Sequence, residues 1–208
     1  MKKKLFILLI FIIVIITVII SWKLMISPQY SLKQLKKAIA NDNLVAFDKY
    51  VDLDRTIVQA IDQIWQYFSN RVSENGKSRW VNVRNEIGYS LLSMAKPNLK
   101  EIIKKEVYNH IISEELSEDK SEEDNNLSNL LMRMVRERIN PKDWEYQSIN
   151  YATTSGDIAF LGLTYYDQSR DANFIVEVKM RNMKGYWQIV EITNIAQLLN
   201  IFYNTAIP

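Results

Sequence analysis

The chain has no cysteine and one histidine, His110, among its 208 residues. Those two shortages remove every disulfide and most catalytic arrangements. Stability must come from packing alone. A serine triad would have to use His110. That residue lies in EVYNHIIS, inside a helical pattern, where a surface or partly buried polar role fits it better. A zinc site would need several carboxylates around that one imidazole, and no metal-type spacing appears. With five glycines in all, there is no glycine-rich phosphate loop. The residues therefore assign no catalytic group, no metal site and no cofactor.

An excess of charge of one sign is lacking too. Lysine and arginine number 26 against 24 acids, and Lys2, Lys3, Lys4 and Lys23 belong to the N-terminal stretch. The remainder is slightly acidic, with 22 basic and 24 acidic residues. A nucleic-acid binder would carry a basic face or stripe, so nucleic acid is not an expected partner.

What is abundant is apolar length at the start. After the basic tip Met1 to Lys4 comes LFILLIFIIVIITVIISW, Leu5 to Trp22, eighteen residues without a charge. Extended to Ile26, a helix there reaches about 33 Å, enough to cross a bilayer. The expectation is a transmembrane signal anchor over residues 1–26. The lysines of the tip hold the N-terminus in the cytoplasm, and the rest of the chain is exported. A cleaved signal peptide fits less well. Its apolar core would be about 7–15 residues and end at a small-x-small site, whereas the nearest such pattern, Ala38-Ile39-Ala40, lies inside a helical repeat. The implied location is a bacterial cell membrane, with one extracytoplasmic domain over residues 27–208.

The exported part opens with Ser27-Pro28, which should end the anchor helix, and Ser31 is a good N-cap for the next. Leu32, Leu35, Ala38 and Ile39 recur at helical spacing until Asn41-Asp42-Asn43 breaks the pattern. Leu44 to Val51 reads as a short second helix. Asp52 or Asp54 caps a third, through Ile57, Ala60, Ile61, Ile64, Trp65 and Phe68. Two more are expected at Val83 to Met94 and Leu99 to Glu114, separated by Pro97. EELSEDKSEEDNN, Glu114 to Asn126, reads as a solvated loop rather than a calcium site, because the EF-hand spacing and central glycine are absent. Leu127 to Ile139 resumes a helix. After Pro141 the period turns to that of strands: Asp143 to Thr153, Asp157 to Tyr166, Ala172 to Met180 and Tyr186 to Thr193, joined by short polar turns. In the third, Phe174, Val176, Val178 and Met180 face one way, with Glu177, Lys179 and Arg181 opposite. Short turns require antiparallel neighbours, hence a four-stranded meander. A helix over 195–206 closes the chain. The expected fold is α+β: helices from 31–140 packed on one face of a sheet over 143–194.

Two stretches resemble known families. SPQYSLKQLKKAIAND, Ser27 to Asp42, followed by FDKYVDLDR, Phe47 to Arg55, resembles the opening of the bacterial family catalogued as domain of unknown function 2939. Its members are similarly anchored, exported and uncharacterised. GYWQIVEITN, Gly185 to Asn194, is similar to the last strand of the nuclear-transport-factor-two-like or cystatin-like fold. That resemblance implies helices packed into the concave side of a curved sheet, often around a cone-shaped cavity. Neither resemblance supplies a catalytic motif.

Three readings of function follow. The first is a non-catalytic binding or interaction module at the membrane surface. Ser27 to Tyr30 is a tether of at most about 14 Å, which holds the domain where it meets headgroups and other membrane proteins. The second is a pocket for an apolar ligand, with Trp65, Tyr165, Phe174 and Trp187 as its walls. The third, an alternative of another class, is a small-molecule-transforming enzyme using an Asp/Tyr pair, for which Asp157 with Tyr151, Tyr165 and Tyr166 are the available groups. It rests on fold analogy. The expected partners are the membrane, through residues 5–26, and a membrane-proximal protein or apolar ligand.

Overall fold

In the computed structural model, residues 12–13, 15–17, 26–74, 79–112 and 143–204 are described, with the side chains of 68–93, 95 and 203–204 left aside. The fold is α+β, as its periodicities require. The transmembrane helix at its head is corrected: among the described residues no helix is long and apolar enough to cross a membrane. Most of the run from Leu5 to Ile26 lies outside the described residues, as do the acidic stretch from Glu114 and the helix expected at Leu127 to Ile139.

Helix α1, Pro28–Ala40, starts earlier than Ser31 would have placed it. Ser27 is its N-cap, the Oγ accepting from the Tyr30 N–H at 3.1 Å. Pro28 sits at the first helical position, where its missing N–H costs nothing and its φ is already helical. Ser31 is instead buried within the helix, its Oγ accepting the Trp187 N–H at 2.8 Å. Asp42, at φ 52°, turns the chain out of α1, and Asn43 caps α2, Leu44–Tyr50. Asp52 caps α3, Leu53–Glu74, by accepting the Arg55 N–H at 3.2 Å. The two helices expected around Pro97 are one, α4, Arg79–Ile111, with Pro97 inside it. Pro97 is exposed, and on either side of it α4 is tied to α3 by Lys96 to Asp62 at 2.7 Å and Lys104 to Asp54 at 3.1 Å. Leu99 is buried, and Ile103 and Val107 pack on the core. These contacts carry the helix across the residue that sequence alone reads as a stop.

The sheet is the expected antiparallel meander, in the order β1-β2-β3-β4. Its strands are β1 Trp144–Ser155, β2 Ile158–Asp167, β3 Ala172–Asn182 and β4 Trp187–Ile192. Helix α5, Ile195–Asn204, follows. On one face Phe174, Val178 and Met180 line up with Tyr165, Leu161 and Ala159, and the helices cover them. On the other stand Glu177, Lys179 and Arg181. The β4 edge is closed by Val51, which bridges to Ile189, and by Asp52, whose N–H reaches the Ile189 carbonyl at 2.8 Å.

Candidate functional site

Each of the four aromatics expected to wall a pocket is packed into the core. Trp187 is buried in the main cluster, with Trp65 packed against the same cluster from α3. Tyr165 and Phe174 do come together, with rings stacked 5.8 Å apart. They belong to an aromatic group that Trp144 and Phe202 complete, Trp144 lying 4.8 Å from Phe174 and 5.2 Å from Phe202. Burial raises the Tyr165 hydroxyl pKa, Tyr146 adding to it.

The Asp/Tyr pairs of the enzymatic reading are dispersed. Asp157 sits in the β1–β2 turn, its carboxylate accepting from Asn182 Nδ2 at 3.2 Å. Tyr165 and Tyr166 lie at the opposite end of β2, where Tyr166 donates to Asp171. Tyr151 is on the outward face. Its ring lies across Gly162, and its hydroxyl donates to Glu177 on β3, in one row across three strands. A Cβ at Gly162 would come within 2.3 Å of Tyr151 Cε1, so only glycine leaves room for that ring. Thr193 donates to the other oxygen of the same carboxylate, and the Glu177 N–H is held by Asn194 Oδ1 at 2.9 Å. The Glu177 bond, with burial, pushes the Tyr151 hydroxyl up to about 12.

Among the described residues, one concave feature is a polar cleft of about 230 Å³ between α2, α3, α4 and β4. It is lined by Asp48, Val51, Asp52, Leu53, Asp54, Lys104, Tyr108 and Gln188. Tyr108 reaches over from α4 and donates to Asp48 Oδ1 at 2.8 Å. Lys104 grips both Asp54 oxygens, at 3.1 and 3.2 Å, with Lys100 at 3.4 Å. Gln188 Nε2 donates to the Asp48 carbonyl at 3.1 Å and so fixes α2 against the sheet. The bond from Lys104 is the largest influence lowering the Asp54 pKa. Burial, then the bond to Asp48, pushes Tyr108 up to about 12, which keeps it a donor rather than a base at neutral pH. Three carboxylates against Lys104 and Lys100 leave the cleft with one negative charge in excess. Such a cleft recognises a cationic or hydroxyl-rich group by hydrogen bonding.

Sequence reasoning named none of the cleft as a site. Asp48, Asp52 and Asp54 stand together in FDKYVDLDR, but Lys104 and Tyr108 come from a helix more than forty residues away, and no local pattern signals that they converge. In comparisons with known proteins, no family model, no curated protein and no solved structure matches the chain.

Proposed function

We propose that this chain is a non-catalytic binding or interaction module acting at a membrane surface, with which it associates through residues 5–26. The observation that supports it best is the join between the apolar run and the folded part. Ile12, Ile13, Ile15 and Ile16 are helical and each is 43% to 51% exposed, so protein leaves much of their surface uncovered. Exposed apolar surface of that kind calls for an apolar phase or a partner. At the other end of the run, Trp187 Nε1 donates to the Ile26 carbonyl at 2.7 Å. Ser27 is already a cap and Pro28 already helical. From Ile26 onward the chain therefore has almost no slack. A domain held in a fixed stance beside a bilayer meets other membrane-proximal groups at high effective concentration, while an enzyme for a diffusible substrate gains little from that stance.

Within this reading the cleft of Asp48, Asp54, Tyr108 and Gln188 receives the partner's cationic or hydroxyl-bearing group. The test uses the full chain in cells, with a photoactivatable residue at Gln188. Retention in the membrane fraction after an alkaline wash, with a discrete adduct that Asp48→Asn weakens, is the expected result. Release into the soluble fraction would overturn the membrane reading. Retention with no adduct would overturn binding at the cleft.

A further inference from the structure

The exposed side of α1 carries charge of one sign. Lys33, Lys36 and Lys37 all lie in solvent. At about 100° per residue they share an arc of about 100°, with Ala40 in its middle. Tyr30, also exposed, borders that arc. The helix itself, PQYSLKQLKKAIA, contains no acid. Among the described residues none of the three lysines is paired with a carboxylate, although Lys36 Nζ stands 3.6 Å from the centroid of the Tyr146 ring. The opposite side of α1 is the one that packs: Leu32, Leu35 and Ala38 are buried in the core. The lysines are therefore presented outward by a rigid support.

Their position relative to the chain's exit is fixed. The bond from Trp187 to the Ile26 carbonyl and the bond from the Trp187 N–H to Ser31 pin the first turn of α1 to β4. From that point Lys33 and Lys37 are about 8 and 14 Å along the helix axis. If Ile26 is at the edge of a bilayer, both lysines lie within roughly one or two Debye lengths of its surface. Tyrosine is a residue of the same interface.

We propose that this face of α1 docks on anionic lipid headgroups of the bilayer beside it, laying the helix along the surface and turning the Asp48 cleft to a set side. The proposal rests on the membrane-surface reading above. Two features favour headgroups over another anion: the match of charge, and the place of the helix in the chain, directly after the N-terminal stretch 5–26. Each basic residue near an anionic surface contributes about a fivefold preference. Losing Lys33 and Lys37 together should weaken docking by about 25-fold.

The absence of cysteine allows a single label. The full chain carrying Ala40→Cys and a fluorophore is mixed with phosphatidylcholine vesicles, with or without phosphatidylglycerol, that contain a headgroup-bound quencher. Flotation reads association and quenching reads docking. The expected result is flotation with both vesicles but strong quenching only with phosphatidylglycerol, weakened by added salt and by the pair Lys33→Gln with Lys37→Gln. Both lysines are exposed, and an unchanged melting temperature would verify that the pair folds. Flotation with equal quenching in both lipids, or in chain and variant alike, overturns the docking. No flotation with either vesicle overturns the membrane reading and the docking with it.

Discussion

At the scale of single residues, Gly162 and Tyr151 show how one side chain's absence creates another's place. The ring of Tyr151 occupies the space that any Cβ at 162 would need. It fills the gap a glycine leaves in a strand, and so carries its hydroxyl across β2 to Glu177. Gly162→Ala must push the ring aside and break that bond, at an expected loss of about 1–3 kcal/mol. In a Tyr151→Ala background the same change meets nothing and should cost much less. Chemical denaturation of the four proteins of that cycle checks it, and equal losses in both backgrounds would show that the ring and the glycine are independent. The glycine was visible in the sequence, but the ring above it was not. Register decides which tyrosine lies across which glycine, and β1 carries two irregularities that no alternation pattern announces.

At the scale of elements, the strands were legible and the helix boundaries less so. Alternation in β3 was clear because one face is covered and the other wet. Ser31 reads as a cap because a good capping residue looks the same in sequence whether it caps or lies one turn inside. The deciding partner, the Trp187 N–H, is more than 150 positions away. Pro97 reads as a stop because local rules cannot see α3, whose Asp62 and Asp54 hold α4 on both sides of it. That proline still lacks a helical hydrogen bond, so Pro97→Ala should stabilise the chain by about 1–3 kcal/mol. In a protein of this size that is several degrees in Tm. A calorimetric scan showing a lower Tm would mean that α4 needs a bend there.

At the scale of the whole molecule, ionisation sets the limits of stability. Asp167 is 1% exposed at the end of β2. Burial raises its pKa, but bonds from Ser169 at 2.6 Å and Arg170 at 2.7 Å outweigh that and hold it below 3.8. A group with a depressed folded pKa stabilises above its unfolded value and loses that contribution as pH falls. Tyr108 and Tyr151 act in the other direction. Both are raised from 10.0 to about 12, so their contribution is whole below 10.0 and is lost as pH climbs towards 12. Urea midpoints should be level between these limits and fall on both sides. Asp167→Asn should lower the midpoint at neutral pH, breaking a buried pair at about 3–5 kcal/mol, and its difference from the parent should shrink below pH 3.8. A difference that persists unchanged in acid would mean that Asp167 acts through packing and not through charge. The acidic cleft is the part of the whole that sequence could not supply, since its walls come from four elements brought together only by the fold.

The bond from Trp187 to the Ile26 carbonyl also makes the first turn of α1 a mechanical coupling. Any pull on the N-terminal run is delivered through Ile26 and Ser31 to β4, at the edge of the sheet, before it reaches the rest of the chain. Under load α1 would peel from β4 one bond at a time, as a zip opens, while β1 at the far edge stays unstressed. The point where the chain leaves the fold is thus also where strain on the molecule is first felt.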